Sequence, residues 1–158
     1  MIQTSQKLVD VCTAKNIKIA VAESCTGGII SSAITSIPGS SKVFDRGFIT
    51  YSNKSKIDLL SIQAEMLREH GAVSLVIASE MAIGAIKHSE ADIALSITGI
   101  AGPNSDESSK PVGLVYFATI SKGKVECTQK HFEGDRHQIR ELASTFGLEL
   151  LLNTATSF

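Results

Sequence analysis

Two short, largely apolar runs, Ile17 to Ala22 and Ala91 to Ile97, each break abruptly at a glycine-bearing turn. The turns are Glu23-Ser24-Cys25-Thr26-Gly27-Gly28 and Thr98-Gly99-Ile100-Ala101-Gly102-Pro103. Runs of this length, rich in β-branched residues and almost without polar alternation, are the pattern of strands buried on both faces. Strands of that kind need helices above and below them. The intervening sequence supplies these: Leu8, Val9, Val11 and Cys12 suit a helix face over 5–15, and Ile29 to Ile34 reads as a helix closed by Pro38-Gly39-Ser40-Ser41. Phe44 to Tyr51 reads as a further strand, containing Gly47. Ser52 and Asn53 are N-cap types ahead of a helix over 54–60. A short helix over 63–69 ends at His70-Gly71, and Val76, Ile77, Ala78, Met81, Ala82, Ala85 and Ile86 carry helical spacing through 74–88.

The C-terminal third changes pattern. Residues 112–120 and 124–132, joined at Ser121-Lys122-Gly123, read as a β-hairpin. Asp135 to Leu152 forms a last helix with Ile139, Leu142, Ala143, Phe146, Leu150 and Leu151 inward. The polar stretch 104–110 is expected to be mobile, and its composition fits a lid and a slack loop equally. Alternating buried strands and helices with a hairpin inserted imply an α/β fold, a three-layer α/β/α sandwich around a mixed sheet. At 158 residues the chain is read as a single domain over 1–158.

Composition removes several classes of function. Fifteen basic residues stand against sixteen acidic ones, so nothing attracts a polyanion in general and nucleic acid is not expected as a partner. The three cysteines, Cys12, Cys25 and Cys127, form no C-x-x-C pair, which argues against a disulfide framework or a zinc ribbon. His70, His88, His131 and His137 show no metal-ligand spacing, so a metal site is not expected. The N-terminus lacks the pattern of a signal peptide, and no apolar run approaches the roughly 20 residues needed to span a bilayer. A cytoplasmic protein without membrane partners is the expectation. The hairpin edge needs covering, which suggests a homo-oligomer.

Ligands of open α/β sheets gather at the carboxyl ends of the strands, where both glycine turns fall. The first turn places the hydroxyls of Ser24 and Thr26 and the thiol of Cys25 just before a helix. Free N–H groups and the helix dipole there favour a phosphate or a developing oxyanion; the plain alternative is that Ser24 or Thr26 caps the helix. In Thr50-Tyr51-Ser52-Asn53-Lys54-Ser55-Lys56, a lysine in the first turn of a helix faces the positive dipole end and becomes a better base. Lys56 is therefore a candidate to deprotonate Ser24 with Tyr51 nearby, whereas the plain reading leaves both lysines solvated. Cys25 competes as nucleophile, since a helix N-terminus can depress a thiol pKa. Arg136 and Arg140, one turn apart, suit a phosphate or a solvated helix face.

Taken together, AESCTGG at 22–28, GSS at 39–41, FDRGFITYSNKSK at 44–56, HGAVS at 70–74, EMAIGA at 80–85, SITGIAGP at 96–103, KPVGLVYFA at 110–118 and FEGDR at 132–136 resemble the CinA C-terminal domain family. Active members of that family are nicotinamide-nucleotide amidohydrolases. The resemblance implies hydrolysis of the carboxamide of nicotinamide mononucleotide to nicotinic acid mononucleotide and ammonia, in pyridine nucleotide recycling, without a cofactor. It implies Ser24 as nucleophile, Lys56 as base and Tyr51 in proton transfer. Thr26, Gly27, Ser41, Thr98 and Gly99 would bind or line the substrate; that Arg136 and Arg140 take its phosphate is a separate expectation, drawn from their spacing and not from the resemblance. The chain looks like the stand-alone deamidase form, without the N-terminal domain of longer relatives. Lys54 stands where the family commonly has an acidic residue, and its charge is expected to lower the pKa of Lys56 further. A non-catalytic nucleotide-binding module built on the same turns is the alternative.

Overall fold

The computed structural model describes residues 1–105 and 109–158; residues 106–108 of the polar stretch 104–110 lie outside the described residues. In chain order the elements are α1 (Ile2–Lys15), β1 (Ile19–Glu23), α2 (Ile29–Thr35), a 3-10 turn (Ser40–Lys42), β2 (Phe44–Ile49) and α3 (Asn53–Leu60). They continue as α4 (Ala64–His70), α5 (Leu75–Lys87), β3 (Ile93–Gly99), β4 (Leu114–Ser121), β5 (Lys124–His131) and α6 (Arg136–Ser157). The five strands form one mixed sheet in the order β2-β1-β3-β4-β5. β1 runs parallel to β2 and to β3, and the β4–β5 hairpin continues the sheet antiparallel.

Period-two alternation divides the sheet into two chemically different faces. Ile19, Val21, Ile93, Leu95, Ile97, Val115 and Phe117 face α1, α2 and α6. The opposite face is built largely of small residues, Ala20, Ala22, Ala94 and Ala118, and meets α3, α4 and α5. The result is the expected three-layer sandwich. Two details differ from the sequence reading. α6 runs five residues beyond Leu152, and Leu142, expected inward, is 46% exposed, while Ser144 and Gly147 are buried in the helix interface instead. Gly147 lies against Ile97, Ile30 and Leu95, so the missing side chain lets α6 approach the sheet.

The small-residue face draws α5 close enough for Ser96 Oγ to donate to the Ala78 carbonyl at 2.5 Å. Gly84 on α5 does the same for α3: a Cβ there would lie inside van der Waals contact of the Leu60 carbonyl and 2.8 Å from Leu60 Cβ. α3 is thereby seated by its last residue. Glycine in a helix interior costs about 1 kcal/mol relative to alanine, but the clash falls on backbone, which cannot rotate away. Gly84→Ala is expected to destabilise the protein by about 2 kcal/mol net, as overpacking does. Thermal unfolding should show a Tm lower by about 4–8 °C; an unchanged or raised Tm contradicts this packing account.

Candidate active site

β1 lies between β2 and β3 with Glu23 opposite both Ile49 and Ile97, so the three strands end at one level. The ladder continues one residue further on each side: Thr50 N–H donates to the Glu23 carbonyl at 2.8 Å, and Ser24 N–H to the Ile97 carbonyl at 3.0 Å. Segments far apart in sequence thus meet at one sheet edge. They open a cleft of about 250 Å³ lined by Ser24, Cys25, Tyr51, Lys56, Thr98, Gly99 and Arg136, with Ala72, Val73 and residues 100–102, 104 and 105 completing its walls. A larger hollow of about 570 Å³ lies between the hairpin and the end of α6. Its thiol, Cys127, is pushed up in pKa by burial, and among the described residues it holds no hydroxyl bonded to a depressed base.

α3 begins with a capping box in which Ser52 accepts from Ser55 N–H and the Ser55 side chain reaches back to the N-cap. That geometry turns Lys56, one residue past the box, inward. Lys56 is 1% exposed, and its Nζ donates to the Thr50 carbonyl at 2.7 Å and to Ser24 Oγ at 3.1 Å. Burial lowers its pKa from 10.5 to about 8. Desolvation disfavours the ammonium, so neither the helix dipole nor Lys54 is the main cause. Lys54 points outward, 80% exposed, and pairs with Asp58.

Cys25 does not show the low pKa expected of a nucleophile at a helix end. Burial pushes its thiol up to about 12, so at neutral pH it lacks the reactive thiolate form. Nor does Ser24 or Thr26 cap α2. Glu23 does so: its fully buried carboxylate accepts from the N–H groups of Gly28, Ile30 and Ser31 at 2.9, 3.2 and 2.8 Å, and from Ser31 Oγ at 2.7 Å. A carboxylate at a helix N-terminus satisfies orphan donors and opposes the dipole. The end of α2 is therefore filled by the chain itself and is not open to a ligand. The sequence signal was an acid closing an otherwise apolar strand run.

The other expected site residues separate into two groups. Thr98 and Gly99 line the cleft; Thr98 Oγ1 donates to the Ala72 carbonyl at 2.8 Å. A Cβ on Gly99 would lie 2.8 Å from Leu114 O and Val115 Cα, so strand pairing alone already requires the glycine. Tyr51, 59% exposed, accepts from Arg136 Nη2 at 2.8 Å, and Arg136 Nη1 donates to the Gly102 carbonyl at 2.6 Å, closing one rim of the cleft. Thr26, Gly27, Ser41 and Arg140 do not line it. Ser41 is exposed on the 3-10 turn, Thr26 is buried with its Oγ1 unpartnered, and Arg140 binds the carbonyls of Cys25 and Thr26. Among the described residues no cluster of side chains is suited to a metal ion, and no helix is long and apolar enough to cross a membrane.

A lysine whose pKa drops on folding makes stability rise with pH between its folded and unfolded values, because the unfolded chain binds the extra proton there. From about 8 to 10.5 the shift corresponds to about 3 kcal/mol. In Lys56→Met that dependence disappears. Urea unfolding at pH 7 and pH 10 should show the wild type gaining about 2–3 kcal/mol on the variant as pH rises; a constant difference contradicts a depressed Lys56.

The CinA C-terminal domain model matches residues 2–155. The nicotinamide-nucleotide amidohydrolase PncC of Escherichia coli K12 is 43% identical over 152 residues, covering 96% of this chain and 92% of that protein. The PncC of Enterobacter agglomerans is 46% identical over 140 residues, covering 88% and 85%. Two relatives from Caldicellulosiruptor bescii and Caldicellulosiruptor saccharolyticus are 50% and 49% identical, but the chain spans only 35% and 37% of their length. Among solved structures, a CinA superfamily protein of Klebsiella pneumoniae superposes with a TM-score of 0.95 at 30% identity, covering 99% of this chain and 98% of that one. The competence/damage inducible protein CihA of Agrobacterium tumefaciens gives 0.91 at 41% identity, covering 96% and 94%. With its fold and nearly its whole length matched, this chain belongs to the CinA C-terminal domain family.

Proposed function

We propose that this protein is an amidohydrolase that converts nicotinamide mononucleotide to nicotinic acid mononucleotide and ammonia by a serine–lysine mechanism, in pyridine nucleotide recycling. The observation that carries this reading is the buried Lys56 amine 3.1 Å from Ser24 Oγ, with its pKa near 8. About a tenth of such an amine is neutral at pH 7, enough to act as a base. Its setting supports an anionic substrate: the described cleft lining has two cations, Lys56 and Arg136, and no carboxylate. The names of the Escherichia coli and Enterobacter agglomerans relatives support the substrate.

In this scheme neutral Lys56 accepts the Ser24 proton as Oγ bonds to the carboxamide carbon and the C=O pair moves onto oxygen. The main-chain N–H of Cys25, which lines the cleft next to Ser24 and makes no main-chain hydrogen bond among the described residues, holds that oxyanion. On collapse the C–N bond breaks, the Lys56 ammonium returns its proton to the leaving nitrogen, and ammonia departs. Water, deprotonated by Lys56, then attacks the ester, and the proton returns to Ser24 as the carboxylate leaves. Tyr51 and Arg136 stand at the rim, where Arg136 takes the phosphate and Tyr51 holds the guanidinium in place. Thr98 and Gly99 form the floor beneath the pyridine. A homo-oligomer belongs to the same reading, resting on the two sheet edges, β2 and β5, left open within one chain; sedimentation reads it directly.

Ammonia release from nicotinamide mononucleotide should fall by at least a factor of about 10³ in Ser24→Ala and Lys56→Ala, as losing a catalytic nucleophile or base does. Cys25→Ala should retain most activity. The wild-type rate should rise with pH to a plateau above an apparent pKa near 8, since only the neutral amine accepts the proton. Saturable calorimetric binding with no ammonia would establish the non-catalytic nucleotide-binding module instead.

A further inference from the structure

We propose that the main-chain N–H of Gly99 is a second oxyanion donor, which closes with the Cys25 N–H on the tetrahedral oxygen formed at Ser24. The parity of the sheet aims it there. On the β1 side of β3 the Ile97 carbonyl accepts from Ser24 N–H at 3.0 Å, and on the β4 side Ile100 N–H donates to the Leu114 carbonyl at 2.9 Å. Successive residues of a strand bond to opposite neighbours, so Gly99, two residues beyond Ile97, turns its N–H toward β1. The next rung of that parallel ladder would join Gly99 N–H to the Ser24 carbonyl. There the chain turns instead, and the Ser24 carbonyl accepts from Gly27 N–H at 3.1 Å. Gly99 N–H is left without a main-chain partner among the described residues.

The other side of β1 repeats this. Thr50 N–H donates to the Glu23 carbonyl at 2.8 Å, and the following rung would take Cys25 N–H to the Thr50 carbonyl. That carbonyl accepts from Lys56 Nζ at 2.7 Å instead. Both ladders thus stop one rung short, and the two residues whose donors they release, one on either side of Ser24, both line the cleft. A donor enclosed by substrate loses its water and needs an acceptor. In a tetrahedral adduct on Ser24 Oγ the oxyanion is that acceptor. Pairing the N–H of the residue after a nucleophile with one from a neighbouring strand end is a geometry that serves acyl transfer on parallel sheets. Glu23 holds the N–H groups of Gly28, Ile30 and Ser31, so the start of α2 does not compete for this role. A Cβ on Gly99 would lie 2.8 Å from Leu114 O and Val115 Cα, so substitution there disturbs the strand and cannot isolate the donor; the N–H itself must be observed.

This inference rests on the amidohydrolase reading, and the test separates the two. Amide proton spectra of the nitrogen-labelled protein are recorded free and with the mononucleotide of nicotinaldehyde, in which an aldehyde replaces the carboxamide. Ser24 Oγ adds to the aldehyde carbon, the C=O pair moves onto oxygen, and the Ser24 proton passes to Lys56. In this adduct the amide protons of Gly99 and Cys25 should both move downfield, as charge-assisted hydrogen bonds to an oxyanion require. In Ser24→Ala, which meets the same ring without forming the bond, both should stay near their free positions; a ring effect or a purely structural role would shift the two proteins alike. A downfield shift confined to Cys25, or an adduct that moves neither proton, overturns the proposal and leaves the amidohydrolase reading intact. If nicotinamide mononucleotide is turned over but no adduct forms, the same resonances are read with nicotinic acid mononucleotide, whose carboxylate places an oxygen at the same point, and an unmoved Gly99 proton is then the overturning result. No ammonia from the wild type overturns the amidohydrolase reading and this inference with it.

Discussion

A lysine side chain held almost entirely out of water is the constraint around which the cleft is arranged. Burial depresses the Lys56 pKa to about 8, and the desolvation behind that shift costs about 3 kcal/mol at neutral pH. The surroundings offset this only with polar groups that themselves come from strand ends, the Thr50 carbonyl and Ser24 Oγ. Such an arrangement persists only if α3 cannot tilt outward. α3 is held at its start by the Ser52–Ser55 capping box and at its end by the Gly84 contact with Leu60, so the helix that carries the lysine is fixed at both termini.

The asymmetry of the sheet makes that possible. On one face Ile, Leu, Val and Phe side chains fill the space beneath α1, α2 and α6. On the other, alanines bring α5 down onto the strands, and α5 in turn sets the height of α3. The strand residues beneath α5 thereby act on the site without touching it. On the opposite side Glu23 ties the end of β1 to the start of α2, and Arg140 ties the intervening turn to α6. The Ser24 turn is consequently held against α2 and α6 on one face of the sheet and by Lys56 of α3 on the other.

Particular residues show how far the sequence could be read. The alternation of apolar runs, glycine turns and helical spacing was enough for the three layers, and the N-cap chemistry of Ser52 announced α3. The same local logic failed where a side chain's neighbours lay far away in the chain. At a helix N-terminus, Cys25 reads as a low-pKa thiol, yet burial dominates and raises it. Arg140, one turn from Arg136, reads as a second phosphate ligand, yet it faces a main-chain turn. Lys54 reads as a perturber of Lys56, yet it points into water and pairs with Asp58. In each case desolvation or a long-range hydrogen bond outweighed the local effect.

By itself, then, the sequence determined which segments are strands, which are helices and which turns interrupt them, because periodicity and turn chemistry act over a few residues. It also placed Ser24, Tyr51 and Thr98 at strand ends and Lys56 in the first turn of the helix that follows one of them. Only the tertiary structure decided that β1 sits between β2 and β3, which brings Ser24 to Lys56 across 32 positions. It likewise decided which hydroxyl, thiol or cation is dry and which is wet. Dielectric environment and hydrogen-bond partners are properties of the packed whole, and two residues with the same local pattern can meet opposite surroundings.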